Sequence, residues 1–233
     1  MQNQPSSWIR QEYKTNKDKF ERPFKITIEN GISEPTSQLS LEQNYKGLGC
    51  TVWDGSIALA KMFENDSQLI EHLRNSTVLE LGAGCGLVGL ALSYMGAKYV
   101  LLTDMDVCLP TLKINVDKHS CDLKKDSILV MSYTWGEDTK ALMKPHGKFN
   151  IIVAAEVLYD ESDSKLLAYS ALQLLAEDGV MFVSMGRNRK GETAFVDVMR
   201  ENGYSTFEVQ KEKLHPKYQD EIIKVIKVIK KIT

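Results

Sequence analysis

The sequence predicts an α/β fold built on a mostly parallel sheet, and three observations support this. Apolar runs of strand length alternate with helical segments from about residue 76 onward, which is the pattern of parallel strands joined by covering helices. Some runs are apolar throughout, such as IIVAA, as expected of strands buried on both faces. Glycines cluster directly after the first run, where a strand has to turn tightly into a helix.

Five strands and three helices follow one another along this part of the chain. The predicted strands are TVLEL running into GAG, KYVLLTD, SILVMSYTW, FNIIVAAE and GVMFVSMG. The predicted helices are CGLVGLALSYMGA, which stops at Gly96, VCLPTLKINVDKH, with Pro110 near its first turn, and ESDSKLLAYSALQLLAEDG, with a Ser or Asp cap and a glycine stop. Right-handed crossovers would place these helices on both faces of the sheet.

The C-terminal flank departs from this alternation. TAFVDVMRENG has a helical pattern and YSTFEVQK a strand pattern, whereas EIIKVIKVIKKIT is ambiguous because Lys224, Lys227 and Lys230 recur at every third residue. Its β-branched residues favour a strand. A helix there would present a basic stripe, but we expect an edge strand that its lysines protect from pairing with other chains.

The N-terminal flank predicts a hairpin followed by a helix. FKITIENG and SQLSLEQN alternate as two paired strands, and TVWDGSIALAKMFEN is a helix entered through Trp53 and Asp54. We therefore divide the chain into an N-terminal segment, 1–23, which carries no motif and is expected to be flexible, a hairpin and helix extension, 24–75, and a core, 76–233.

Composition limits the partners. The chain has 233 residues and a formal net charge of -2, so it has no overall positive field for a nucleic acid or an anionic membrane. Its apolar runs fall short of the roughly 20 residues that span a bilayer, and its polar start has no signal-peptide core. Its four cysteines and four histidines have no metal-ligand spacing. We expect a soluble protein of the cytoplasm or the nucleus, with reduced thiols and no metal.

The glycine loop is compatible with two cofactors. Gly84, Gly86 and Gly89 satisfy G-x-G-x-x-G, and Asp104 follows about twenty residues later, as a dinucleotide-binding fold requires. In the other frame, ELGAGCG, the acidic Glu80 ends the strand. A carboxylate there repels a pyrophosphate but attracts a cationic amino-acid group. Glu80 thus favours S-adenosylmethionine, with an NAD oxidoreductase as the weaker alternative.

A second carboxylate stands at the end of another predicted strand. The run IIVAAEVLYDE turns from apolar residues to Glu156 and Tyr159 without a turn residue. Ligands of open α/β sheets bind outside the carboxyl ends of the strands, so this acid is a candidate for the reaction centre. A salt-bridged glutamate, or one that caps the helix opened by DESD, is the structural alternative.

Five segments carry a family resemblance. VLELGAGCGLVGL, LLTDMD, YTWGED, AAEVLYDE and GCTVWDGSIALAKMF resemble motifs of the class I, seven-strand methyltransferases, within the methyltransferase-like group of protein-lysine enzymes. The likeness runs from about Leu39 to the C-terminus. It is nearest to the enzymes that methylate valosin-containing protein, whose relatives act on heat-shock chaperones and elongation factor 1-alpha, and the tail KEKLHPKYQDEIIKVIKVIKK fits the valosin type best.

This resemblance implies a fold and a function. The fold is a Rossmann-like seven-strand sheet, mostly parallel with an antiparallel C-terminal strand, plus the N-terminal hairpin and helix. The function is transfer of a methyl group from S-adenosylmethionine, released as S-adenosylhomocysteine, to a lysine of a protein substrate of the chaperone or AAA-ATPase type. We expect a monomer. A small-molecule methyltransferase and a non-catalytic cofactor-binding module remain open, because a fold does not fix the acceptor.

The resemblance also assigns site residues. The cofactor-binding set is Trp53, Glu80, Gly82, Ala83, Gly84, Gly86, Asp104, Met105, Trp135 and Ala155. Within it, Asp104 takes the ribose hydroxyls, and the two tryptophans offer flat apolar faces to the purine or the sulfonium, unless they simply pack in the core. Ala155 makes room for the cofactor at the strand end.

Glu156 and Tyr159 are assigned to the acceptor amine. An ordinary lysine with a pKa near 10.4 is neutral at pH 7 in only about one molecule in a few thousand, so deprotonating it costs roughly 4.6 kcal/mol. A nearby carboxylate raises that pKa further. We therefore expect Glu156 to aim the amine rather than to act as a simple general base, and Tyr159 to wall the channel beside it.

Overall fold

The structure, a computed structural model, describes residues 20, 22–31, 36–44, 47, 49–186, 189–219 and 221–231. Most of the segment 1–23, for which the sequence predicts flexibility, lies outside these residues. The part of the chain that is described contains a seven-stranded sheet with helices on both faces, and a separate two-stranded hairpin.

The strands and helices have the following bounds. The strands are β1 (Phe24–Glu29), β2 (Thr36–Leu41), β3 (Thr77–Leu81), β4 (Tyr99–Asp104), β5 (Ile128–Ser132), β6 (Phe149–Ala155), β7 (Leu175–Met185), β8 (Tyr204–Glu208) and β9 (Lys224–Lys230). The helices are α1 (Asp54–Asn65), α2 (Ser67–Arg74), α3 (Leu87–Tyr94), α4 (Leu109–His119), α5 (Lys140–Met143), α6 (Glu161–Leu174) and α7 (Glu192–Glu201). Two 3₁₀ turns, Lys211–Lys213 and Pro216–Tyr218, precede β9.

The seven-stranded sheet has the order β5-β4-β3-β6-β7-β9-β8. Strands β3 to β7 run parallel, whereas β9 is antiparallel to both of its neighbours. The predicted mostly parallel sheet with an antiparallel C-terminal strand is therefore confirmed, as is the antiparallel hairpin of β1 and β2. The chain leaves β3 in one direction and later returns on its other side with β6, which opens a crevice between the carboxyl ends of these strands.

The position predicted for the last strand is wrong. EIIKVIKVIKKIT does form a strand, but β9 lies between β7 and β8, and β8 is at the edge. Val225, Ile226 and Val228 are buried, while Lys224 pairs with Glu192 of α7 and Glu208 of β8, and Lys230 pairs with Glu177 of β7. The lysines thus sit at the margins of a covered strand, a pattern that sequence periodicity alone does not separate from a protected edge.

The helix predicted over ESDSKLLAYSALQLLAEDG is too long. Helix α6 begins after Asp160, whose Oδ1 accepts hydrogen bonds from the main-chain N–H groups of Ser162 and Asp163 at 2.9 and 3.1 Å. It ends at Leu174, and the next residues already belong to β7. The register of β7 against β6 shifts there, so the glycine near the expected helix end lies in an irregular strand.

Two apolar clusters cover the two faces of the sheet. One joins the sheet to the hairpin and to helices α1, α2, α3 and α4, and the other joins it to α5, α6 and α7. Neighbouring strand residues alternate between the clusters, as Val78 and Leu79 do, because side chains of a strand point to opposite faces. Among the helices of the described residues, none combines the length and the apolar character needed to cross a bilayer.

A buried ion pair ties the N-terminal hairpin to helix α1. Lys61 Nζ lies 2.5 Å from Glu64 Oε2, with side chains 4% and 2% exposed. Lys61 also donates to the carbonyl of Thr27 at 2.6 Å, and the N–H of Glu29 donates to the same glutamate. Each charge therefore has an opposite charge beside it and a main-chain partner in the hairpin, which fixes the hairpin to the helix that leads into the crevice.

We expect Lys61→Met to lower the free energy of unfolding by about 3–5 kcal/mol, because it leaves the Glu64 carboxylate buried without its cation. Denaturant-induced unfolding measures the change. Lys118→Met is the matched control: Lys118 pairs with Glu42 at 2.8 Å, but both side chains are more than a third exposed, so the loss should stay below about 1 kcal/mol. Equal losses in the two variants would contradict this account of the buried pair.

Candidate active site

A cavity of about 310 Å³ opens at the carboxyl ends of the central strands, on the side where the strand order reverses. Its size is in the range of small-molecule sites. The wall includes these predicted site residues: Trp53, Glu80, Gly82, Ala83, Gly84, Asp104, Met105, Trp135, Ala155 and Tyr159. Two predicted residues, Gly86 and Glu156, do not form part of the wall.

The glycine loop between β3 and α3 is held by hydrogen bonds to the end of β4. The N–H groups of Gly82 and Ala83 both donate to the carbonyl of Thr103, at 3.0 and 2.9 Å. Asp104 holds the next residue, because its Oδ2 accepts from the N–H of Gly84 at 2.7 Å. Its Oδ1 accepts from the N–H of Met105 at 2.8 Å. The loop is thereby fixed before any ligand is bound.

Close contacts explain why this loop needs glycines. Gly82 and Gly84 have φ angles of +73° and +55°, in the left-handed region that side chains disfavour. A Cβ on Gly82 would lie 2.8 Å from Val157 Cγ1 and 3.1 Å from the ring of Trp135. A Cβ on Gly84 would lie 2.8 Å from the main-chain oxygen of Gly49. The segment before α1 and the residues after β5 and β6 thus close directly around the loop.

Glu80 lies beneath the loop and reaches the cavity. It is 2% exposed, and its Oε2 accepts a hydrogen bond from the N–H of Gly89 at 2.7 Å. The pKa of Glu80 is raised to about 8, chiefly by burial; the hydrogen bond from Gly89 opposes this rise and the Asp104 carboxylate adds to it. A cationic group in the cavity would stabilise the ionised form and draw off its proton.

One of the two cysteine thiols of the cavity wall, that of Cys108, is not activated. Burial raises the pKa of Cys108 to about 12, and the nearby Asp104 carboxylate contributes to the rise. Because the thiolate is the reactive form of cysteine, Cys108 has no role as a nucleophile at neutral pH.

Aromatic and apolar side chains form the outer wall. Trp53 precedes the first turn of α1 and is 46% exposed. Trp135 follows β5 and is half-buried against the glycine loop. Met105 is 38% exposed, directly after Asp104. Ala155, the last residue of β6, leaves space at the strand end. The two tryptophans therefore line the cavity and are not simply in the core.

Gly86 serves the packing of two helices. It precedes the first turn of α3 with φ +83°, and a Cβ there would lie 2.6 Å from Leu112 of α4. Its missing side chain lets the two helices approach each other, on the side away from the cavity. Contact of Gly86 with a cofactor is thus not supported by its position.

Among the described residues, three donors surround the carboxylate of Glu156. Its Oε1 accepts from the N–H of Gly55 at 3.1 Å, and its Oε2 accepts from the N–H of Gly186 at 3.1 Å. Arg189 Nη2 donates to the same Oε2 at 2.5 Å. The residue is 5% exposed and has φ +60°, a strained conformation for a residue other than glycine. The salt-bridged alternative is the one observed, and contact of Glu156 with an acceptor stays a prediction.

Tyr159 lines the mouth of the cavity and connects it to Arg189. Its side chain is 47% exposed, and the guanidinium carbon of Arg189 lies 4.9 Å from the centre of its ring. Burial raises the pKa of the phenol, while the Arg189 cation lowers it. The sequence singled out both Glu156 and Tyr159 for the acceptor, and the structure joins them through one arginine.

Sequence reasoning missed part of the wall. The additional residues are Gly49, Thr51, Val52, Ser56, Cys85, Leu87, Cys108, Tyr133, Thr134, Val157, Asp163 and Leu166. The first four lie in or directly after the GCTVWDG segment, so that motif was a usable signal for them. The apolar members have the pattern of ordinary core residues. Arg189 carried no signal, because it lies in a short basic stretch 33 residues from its partner.

Comparisons with known proteins point to one family. A family model described as lysine methyltransferase matches residues 33–202. The protein N-lysine methyltransferase METTL21A of Xenopus tropicalis is 29% identical over 70% of this chain and 73% of that protein. The protein N-terminal and lysine N-methyltransferase EFM7 of Yarrowia lipolytica is 27% identical over 94% of this chain and 88% of that protein. The EEF1A lysine methyltransferase 3 of Mus musculus is 29% identical over 68% and 66%.

Solved structures share the fold at low sequence identity. SMU.776, a putative methyltransferase complexed with SAH, matches with a TM-score of 0.60 and 16% identity, over 88% of this chain and 55% of that chain. The T. thermophilus 16S rRNA methyltransferase RsmC, in complex with AdoMet and guanosine, matches with a TM-score of 0.63 and 19% identity, over 90% and 50%. This chain spans about half the length of these two proteins. At this identity the likeness establishes the fold alone.

We expect the wild-type chain to lose stability as the pH rises, and we expect Glu80→Gln to abolish this loss. The pKa of Glu80 is about 8 in the folded chain, against an ordinary value of 4.5. The folded state therefore keeps a proton that the unfolded chain releases, so the free energy of unfolding falls by a few kcal/mol between about pH 5 and about pH 8. Denaturant-induced unfolding across this range measures the slope.

Glu177→Gln is the control for this pH dependence. Glu177 is exposed and pairs with Lys230, which lowers its pKa. The contribution of Glu177 to the free energy of unfolding is complete above its ordinary pKa and is lost only in acid. The variant should therefore keep the wild-type dependence of this free energy on pH in the neutral range. A wild-type slope in Glu80→Gln as well would show that Glu80 does not hold the proton.

Proposed function

The chain belongs to the lysine methyltransferase family, and we propose that it methylates a lysine on a protein of the chaperone or AAA-ATPase type, with S-adenosylmethionine as the methyl donor. One observation carries this proposal: a ready-formed cavity lined by three carboxyl side chains and two indoles opens to the surface beside the Glu156 and Tyr159 motif. The motif and the tail that resembles the valosin type support the substrate class.

The wall of the cavity fits the donor. Glu80 and Asp104 put carboxylates on an otherwise largely apolar surface, which suits a molecule that combines a cationic amino-acid part with ribose hydroxyls. Trp53 and Trp135 offer flat apolar faces for a purine or a sulfonium. The glycine loop contributes Gly82, Ala83 and Gly84 to the wall, where the missing side chains of the glycines leave space for a ligand. When bound, S-adenosylmethionine supplies a methyl group on a positively charged sulfur, ready for in-line transfer.

The mouth of the cavity fits a protein rather than a small free molecule. Large apolar side chains are exposed around it: Trp53, Met105, Val107, Tyr159 and Leu166 are between 38% and 64% exposed. Several exposed apolar residues in one region mark surfaces that contact other proteins. Such a surface would hold the substrate protein while one lysine enters between Tyr159 and the glycine loop.

The chain's own residues act by positioning. Glu156 fixes the start of α1 through Gly55 and the end of β7 through Gly186, so it sets the shape of the acceptor side without facing it. Tyr159 limits the path of the entering amine. The amine has to reach the mouth as an ammonium and lose its proton to water there, because only the neutral form carries a lone pair. Holding the two reactants together then supplies most of the rate enhancement.

An N-terminal amine is a second candidate acceptor. The Yarrowia lipolytica relative named for both N-terminal and lysine methylation covers 94% of this chain. An α-amino group has a pKa near 8 and needs less help than a lysine to become neutral. The position of the methyl group in the product distinguishes the two acceptors.

We expect Asp104→Asn to weaken the binding of S-adenosylhomocysteine about 10- to 100-fold, because it removes a charged acceptor worth roughly 1.5–3 kcal/mol. Isothermal titration calorimetry measures the affinity. Asp106→Asn is the matched control, since Asp106 is exposed and does not line the cavity. If both variants bind as tightly as the wild type, the assignment of Asp104 to the ribose is wrong.

Label transfer in a cell lysate tests the acceptor. Wild-type chain incubated with lysate and methyl-labelled S-adenosylmethionine should label one or a few discrete protein bands. Mass spectrometry of the labelled band should then locate the methyl group on a lysine of a chaperone or an AAA-ATPase. Label only in small molecules would support the alternative acceptor class. Label in elongation factor 1-alpha, the substrate named for one relative, would correct the substrate type while keeping the reaction.

A further inference from the structure

Arg189 contacts both residues that the sequence assigns to the acceptor. Its Nη2 donates to Glu156 Oε2 at 2.5 Å, and the side chains are 16% and 6% exposed. Its guanidinium carbon lies 4.9 Å from the centre of the Tyr159 ring. The arginine reaches this position from the connection between β7 and α7. It therefore puts a permanent positive charge directly behind the tyrosine that walls the mouth.

The cation of Arg189 offsets the effect that the charge of Glu156 would have on the acceptor amine. A lone carboxylate near the acceptor stabilises the ammonium form and so opposes the proton loss that methylation requires. A guanidinium remains charged at every accessible pH. Paired with it at hydrogen-bond distance, Glu156 presents almost no net charge to the mouth.

We infer that Arg189 is a positioning residue for methyl transfer, which cancels the charge of Glu156 behind Tyr159 and so lets the acceptor amine lose its proton more easily. This inference rests on the proposed function. It also gives Glu156 a defined role, in which the carboxylate holds the guanidinium in place and fixes Gly55 and Gly186, rather than receiving the substrate itself.

The charges around Tyr159 support this assignment. Besides burial, the Arg189 cation lowers the pKa of the phenol, whereas the charges of Asp104 and Glu156 and the thiol of Cys108 raise it. The charges of Arg189 and Glu156 thus both affect Tyr159, a side chain on the cavity wall. Asp163 of α6 and Glu80 of β3 also line the cavity, and they remain unchanged in the variants described next.

Single and paired substitutions at the two positions test the inference. The pH dependence of label transfer into the band that the wild type labels in lysate reports the apparent pKa of the acceptor step. Arg189→Met leaves Glu156 uncompensated and should move that pKa upward. Glu156→Gln leaves the cation uncompensated and should move it downward. Each shift should be roughly one pH unit, the effect of a charge about 10 Å away at an effective dielectric constant of about 20.

The double variant Arg189→Met with Glu156→Gln should return the apparent pKa to the wild-type value, and Arg189→Lys should retain it, because each has no net charge at the pair. A residue that only holds the fold would lower the rate without shifts of opposite sign. Loss of S-adenosylhomocysteine binding, or a lower midpoint of thermal unfolding, identifies any variant that has not folded. If Arg189→Met does not fold, the comparison of Arg189→Lys with Glu156→Gln still tests the inference.

The outcomes separate this inference from the proposed function. Label transfer by the wild type, with apparent pKa values that stay in place or move in one direction for both single variants, overturns the role of Arg189 alone. A wild-type chain that labels no protein overturns the proposed function and this inference with it. Opposite shifts that cancel in the double variant establish the charge balance.

Discussion

The site depends on two carboxylates that hold the glycine loop from below and from the side. Glu80 accepts a hydrogen bond from the first turn of α3, and Asp104 accepts one from the loop itself. A charged acceptor such as Asp104 binds main-chain N–H groups more strongly than a neutral one, and the carboxyl group of Glu80 adds a second bond, so the loop is fixed to β3 and β4 together. The walls made by Trp135, Val157 and Gly49 close on the loop, and their fit requires that it stays where these acids hold it.

Much of the fold could be predicted because its signals are local. Apolar runs, caps and glycines report the strands and helices of the core, and the glycine loop with Glu80 and Asp104 lies within a single βαβ unit. The predictions that failed depended on contacts between separate parts of the chain. Strand β9 pairs with β7 as well as with the preceding strand β8, and the lysine spacing looks the same in an edge strand as in a covered one. The end of α6 depended on pairing between β7 and β6, which no helix stop signal reports.

The site shows the same division between local and nonlocal signals. Ten of the twelve predicted site residues line one cavity, because motifs at strand ends meet at one edge of a parallel sheet. Gly86 fits the motif but serves helix packing, a difference that depends on Leu112 of another helix. Glu156 was recognised as a strand-end acid, whereas its surroundings were not predictable, since Gly55 comes from the start of α1 and Gly186 and Arg189 come from the connection after β7.

The contact between Gly84 and Gly49 has a further consequence for the assembly of the molecule. Part of the cofactor wall comes from the chain before α1, which is held in place by the hairpin, by α1 and by the bond from Gly55 to Glu156. A ligand that touches both walls binds only the state in which the N-terminal extension has docked. Its binding energy would then add to the stability of the docked arrangement, so a bound ligand would also hold the two parts of the chain together.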